Sequence, residues 1–140
     1  MQKLVFVIFL VTLLTPVRGI AQSTPSPKPS PEAAAKQMYM DYCASCHGPS
    51  GKGDGPAAMA LKIRPADLTT LAARNGSKFP EMRVMGAIKA GPGVPSHGSE
   101  TMPVWGPIFL EVTGAATEGE VQLKIYNLME YIKTLQVKPR

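Results

Sequence analysis

Two thiols and an imidazole stand within five residues, in the run Cys43-Ala44-Ser45-Cys46-His47. The thiols are three positions apart, so each can add to one vinyl group of a single porphyrin. The histidine follows the second thiol directly, so its imidazole falls beneath such a ring and can reach a central iron. C-x-x-C-H is the attachment sequence of a c-type haem, and one covalent haem c is the cofactor expected here. Two rival readings share part of the pattern. A four-ligand structural zinc site needs a second Cys/His pair, whereas the chain has no further Cys and its only His besides His47 is the isolated His97. A C-x-x-C redox pair belongs in a βαβ setting, and no strand run is evident along the chain.

The elements that must position these residues read as helices. Glu32 to Met38 is rich in strong helix formers. Ala35, Tyr39 and Tyr42-Cys43 recur at helical spacing, so a first helix is expected from about Glu32 into the haem motif. Gly48 to Pro56 holds four Gly and two Pro, which stops that helix after His47. Gly51-Lys52-Gly53 lacks the order of a phosphate-binding loop. Pro65-Ala66-Asp67-Leu68 reads as a turn into a short helix over about 69–74, ended by Asn75-Gly76. A further helix is expected over 80–89, with Pro80 at its start and Gly91 after its end. Met82, Met85, Ala87 and Ile88 are assigned to its apolar side. Residues 90–100 contain Gly91-Pro92-Gly93 and Pro95 and are read as loop. The last helix is the best marked. Thr117 and Glu120 form a T-x-x-E capping box. Val121, Ile125, Leu128, Ile132 and Leu135 then share one face at spacings of four and three. The expected fold class is all-α with long loops.

The ends of the chain are read separately. Met1–Lys3 is a basic start, Leu4–Val17 an apolar run, and Gly19-Ile20-Ala21 offers small residues to a signal peptidase. Residues 1–21 are therefore expected to be a cleavable signal peptide. The apolar run of 14 residues is short of the about 20 that span a bilayer. Residues 22–31, Q-S-T-P-S-P-K-P-S-P, are expected to be an extended linker, and 32–140 the folded domain. Export makes the expected location the periplasm, or the membrane surface if the signal is retained. The net charge is +5 over the whole sequence; loss of Lys3 and Arg18 with the signal lowers it to +3. Two ionised haem propionates would bring it to about +1. The basic residues are scattered, which argues against nucleic acid as a partner.

Taken together, an N-terminal helix, C-x-x-C-H-G, a Gly-rich loop, a Met-Pro loop and a C-terminal helix resemble the class I c-type cytochromes. The resemblance spans about Ala33 to Leu135. It implies a small helical domain wrapped around one covalent haem, with the first and last helices crossing. Ala35 and Tyr39 match the crossing positions on the first helix, and Leu128 and Tyr131 those on the last. It also implies a methionine closing the iron from the face opposite His47. Among Met59, Met82, Met85 and Met102, the match is Met102, which is followed by Pro103. The resemblance further implies a proline carbonyl that holds the free N–H of the proximal histidine. Pro65 fits best, with Pro56 second. Trp105 and Tyr42 are candidates to wall the haem or bond a propionate, with core packing an equal alternative. Arg64, Arg74 and Arg83 are candidate propionate partners by charge. His97 is an exposed loop residue, a propionate partner or an alternative axial ligand.

A haem ligated by His47 and Met102 has no open position for a small-molecule substrate, and thioether ligation raises its potential. The function expected is one-electron transfer between redox partner proteins, with no catalytic residues. The alternative is a haem subunit docked on a membrane oxidase or periplasmic dehydrogenase. A five-coordinate sensor or peroxidase is a third reading, against which Met102-Pro103 stands.

Overall fold

The computed structural model describes residues 28–90 and 102–137. The expected signal segment, most of the Ser/Pro linker and His97 lie outside the described residues. Among the described residues there are five α-helices: α1 (Pro31–Tyr42), α2 (Ala44–His47), α3 (Glu81–Ala90), α4 (Trp105–Val112) and α5 (Glu118–Thr134). Short 3-10 turns occur at Ala58–Ala60, Leu68–Thr70 and Ala73–Asn75. No strand occurs among the described residues.

Helix α1 starts one residue earlier than its composition indicates. The Ser30 hydroxyl accepts from the Ala33 amide at 3.2 Å, and Pro31 takes the first helical position. The missing N–H of proline is no loss there, because that donor has no intrahelical partner. The first helix and the haem motif are not one continuous helix. Cys43 breaks the path at φ −113°, and α2 resumes over the motif until Gly48, at φ +78°, ends it.

A helix as short as α2 has no interior, so its carbonyls must find partners elsewhere. Gly48 N donates to Ala44 O, Ala57 N to Ser45 O, Gly55 N to Cys46 O and Gly53 N to His47 O, at 2.8–3.1 Å. The Gly-rich loop therefore folds back over the end of the motif. Such an approach leaves no room for side chains. A Cβ on Gly55 would lie 2.6 Å from Ala44 O, and one on Gly53 would strike Pro65 O. Gly53 also has φ +75°, a conformation that only glycine adopts freely.

The core forms where α1 crosses α5. Ala35 is 3% exposed, and Tyr39 and Leu128 are fully buried. The Tyr39 and Tyr131 rings lie 5.3 Å apart at 53°, as the first-and-last-helix crossing requires. The Tyr39 hydroxyl donates to Gly48 O at 2.7 Å, so the crossing is tied directly to the end of the haem motif. Burial raises the pKa of this phenol and keeps it a neutral donor. Helix α5 buries Val121, Ile125, Leu128, Met129 and Ile132, with Leu135 half-buried. Its capping box forms with one shift: Thr117 accepts from Glu120 N at 3.2 Å, while the Glu120 carboxylate takes the amide of Ala116 rather than that of Thr117.

Two expectations need correction. Helix α3 buries Val84, Ala87 and Ile88, whereas Met82 is 81% exposed. Met82 precedes Val84 by two positions, which turns it to the far side of the helix. Helix α4 was not among the expected helices. Proline is tolerated in a first turn, and Pro107 lies two residues after the start of α4. Phe109 on this helix is fully buried.

Two substitutions test this construction. Gly53→Ala is expected to lower stability by about 1–3 kcal/mol, from left-handed strain and the clash with Pro65. Thr117→Ala is expected to cost about 1 kcal/mol through loss of the α5 cap. Denaturant unfolding of each variant beside the parent checks both values.

Candidate haem site

A cavity of about 200 Å³ opens where α2, α3, the 66–75 loop and the far end of α5 meet. Cys43 and His47 line it, with Ala66, Leu68, Leu71, Pro80, Val84, Ala87, Ile88 and Ile132 forming the apolar wall. Arg74, Asn75 and Arg83 bring polar groups to it, and Met102 contributes a thioether.

His47 is the last residue of α2 and is 9% exposed. Its Nδ1 lies 3.0 Å from Ala66 O. A carbonyl can only accept, so Nδ1 carries the proton and Nε2 keeps its lone pair. Burial lowers the pKa of the ring, while the bond to Ala66 opposes that effect. The outcome is a neutral imidazole oriented by one nitrogen and able to coordinate through the other.

The carbonyl in this bond belongs to Ala66 and not to Pro65, as the sequence comparison implied. Pro65 O is turned instead against the backbone of Gly53. The segment around it is fixed on both sides. Leu68 N donates to Gly51 O at 2.7 Å, and Asp67 Oδ1 accepts from both the amide and the hydroxyl of Thr69 at 2.7–2.8 Å. With Pro65 packed on the glycine loop, the next carbonyl in sequence faces the histidine.

Cys43 is buried and Cys46 half-buried, and neither forms a disulfide. Burial, with a smaller contribution from Cys46 nearby, pushes the Cys43 thiol up to about 12. This environment holds Cys43 as a neutral thiol. It leaves two thiols free to form thioethers. Among the described residues, no group of three or more His, Cys, Asp or Glu side chains converges as a site for a bare metal ion.

The four methionines fall into different environments. Met59 and Met82 are 84% and 81% exposed. Met85 packs against the core. Met102 lines the same cavity as His47. Of the three arginines, Arg74 and Arg83 reach the cavity, and Arg64 is exposed away from it. Arg74 is committed to the backbone, donating to Asp67 O at 2.5 Å and Thr70 O at 3.4 Å.

Trp105 does not line the cavity. Its ring stacks on Phe109 at 5.2 Å, and Tyr42 meets both rings edge-on at 5.5–5.6 Å. The packing alternative for Trp105 and Tyr42 is the arrangement observed. Their cluster supports the α1–α4 contact beside Cys43.

The residues present fit a haem. The Cys43 thiol, a neutral imidazole with a free nitrogen and a thioether line one largely apolar cleft together with two arginines and an asparagine, and the second free thiol, Cys46, stands one residue before the imidazole in the same short helix. Sequence reasoning missed the Ala66 carbonyl, because any residue supplies a carbonyl and side-chain identity carries no signal for it. It also missed Phe109, although Trp105, Ile108, Phe109 and Val112 follow helical spacing.

Comparison with known proteins agrees with this geometry. The Cytochrome c family model matches residues 32–136. Searches of curated proteins and of solved structures gave no match. The match covers the helices, the cleft and the C-x-x-C-H pentad together, and this chain belongs to the cytochrome c family, whose members carry covalent haem c and serve as electron carriers.

Proposed function

We propose that this protein is an exported monohaem electron carrier whose haem is attached through Cys43 and Cys46 and ligated by His47 and Met102. The observation that carries the reading is the shared cavity. Cys43, His47 and Met102 line one cleft, and His47 is held through Nδ1 so that Nε2 is the nitrogen left for iron. The haem supplies one-electron cycling between ferric and ferrous iron. The chain's own residues supply the rest. His47 and Met102 would both hold the iron, which would leave no open ligand position for a substrate. Thioether ligation and the apolar wall of Leu68, Leu71, Val84 and Ile88 favour the less charged ferrous state and raise the potential.

Export is supported by the basic, apolar and small-residue order of residues 1–21. A periplasmic location follows from that order, because c-type haem is attached after export. Redox proteins are the partners in this reading. Docking on a membrane oxidase or a periplasmic dehydrogenase is the outcome that co-purification with a larger enzyme would favour.

Expression with haem-maturation machinery and a visible spectrum test the ligation. A weak far-red sulfur-to-iron band in the ferric form is expected, with sharp low-spin bands on reduction. Met102→Ala is expected to abolish the far-red band and admit carbon monoxide to the ferrous iron. It should also lower the potential by on the order of 0.1 V, within the roughly 0.8 V over which axial ligands act. An unchanged spectrum and potential in that variant would remove Met102 from the site.

A further inference from the structure

The C-terminal end of α5 is fastened to the loop that holds the axial histidine, and one side chain does most of the fastening. The carboxamide of Gln136 is half-buried and makes three hydrogen bonds to backbone groups. Its Oε1 accepts from Ala72 N at 2.9 Å. Its Nε2 donates to Leu68 O at 2.7 Å and to Ile132 O at 3.1 Å. An amide N–H can only donate and a carbonyl only accept, so these partners fix the orientation of the carboxamide. The next residue continues the contact, with Val137 N donating to Thr69 O at 2.9 Å.

The clamped segment is the site's own wall. Ala66, Leu68, Leu71, Arg74 and Asn75 line the cleft, and Ala66 O accepts the hydrogen bond from His47 Nδ1–H. Two anchors hold Leu68 from opposite sides. Its amide is fixed to Gly51 O in the glycine loop, and its carbonyl to Gln136. Between them, the carbonyl two residues upstream is held at the imidazole. Removing the Gln136 anchor leaves Leu68 O, Ile132 O and the amide of Ala72 without this partner, and buried polar groups left so must move to find another.

We propose that Gln136 is a positioning residue for the axial histidine: by clamping the 66–72 segment to the end of α5, it sets the length of the His47–Ala66 hydrogen bond and, through it, the reduction potential. The proposal rests on the reading of His47 as an iron ligand. N–H donation from the far ring nitrogen makes the coordinating nitrogen more basic. A more basic ligand favours ferric iron, so slackening the clamp raises the potential.

The test compares the haem-loaded parent with Gln136→Leu, which keeps the side-chain size and removes all three bonds. Lys133→Ala, which breaks the ion pair of Lys133 with Glu81 between α5 and α3, serves as a stability control. The readouts are the midpoint potential and the exchange rate of the His47 Nδ1 proton followed by nuclear magnetic resonance. In Gln136→Leu the potential is expected to rise and the exchange to accelerate about tenfold, roughly the factor for one net hydrogen bond. Lys133→Ala is expected to move neither. A Gln136→Leu protein with lowered melting temperature but unchanged potential and exchange would make Gln136 a helix-end fastener only and overturn the proposal. If Gln136→Leu does not fold, Gln136→Met takes its place, keeping the side-chain length and losing all three bonds. The same two shifts are then expected, and their absence has the same meaning. A parent protein whose spectrum lacks histidine ligation would instead overturn the underlying reading before any variant is compared.

Discussion

One hydrogen bond sets the terms for the rest of the molecule. His47 lines the cleft with its Nδ1 held by Ala66 O, nineteen positions further along the chain, which leaves Nε2 as the nitrogen with a lone pair. A side chain on the last residue of a four-residue helix has little to orient it locally. The orientation must come from another segment, and that segment must itself be immobile. Much of the structure between Gly48 and Asn75 meets this requirement. The glycine loop closes over the carbonyls of α2, Pro65 packs against Gly53, Asp67 caps the turn at Leu68–Thr70, and the end of α5 fastens the segment from outside.

The same economy governs the core. Its fully buried side chains are Tyr39, Phe109, Ile125, Leu128 and Met129, and they gather where α1, α4 and α5 meet. On the other side of Cys43, apolar residues of α3 and of the 66–75 loop belong to the core cluster and also line the cleft. A small domain with two cysteines cannot add a disulfide once both thiols are committed to haem. The covalent cofactor then serves as both filling and staple for that half of the molecule, in the way that small folds commonly need. The Tyr39 hydroxyl joins the two halves, because it sits at the α1–α5 crossing and donates to the carbonyl of Gly48 at the end of the haem motif.

Much of this was legible in the chain. Cys43, Cys46 and His47 announce their chemistry by type and spacing. The capping pair Thr117 and Glu120 and the stripe from Val121 to Ile132 announce α5 by period. Met102 could be picked out only through its likeness to a family pattern, and its place on the cleft wall comes from folding. Other features were misread for physical reasons. Met82 was assigned to the core because methionine is apolar, but the angular position of a residue on a helix decides burial. Helix α4 was missed although Pro107 falls in its first turn, where proline carries little penalty.

The sequence by itself determined the cofactor chemistry, the helical class and the start of the last helix, because each depends on residue types at short separations. Only the tertiary structure decided that Ala66 and not Pro65 holds the histidine, that Trp105 packs on Phe109 and Tyr42 away from the cleft, and that Gln136 reaches Leu68 and Ala72. These are contacts of backbone groups or of side chains far apart in the chain. Every residue carries the same carbonyl and nearly every residue the same amide, so their partners are selected by the path of the folded backbone and leave no mark on the order of side chains.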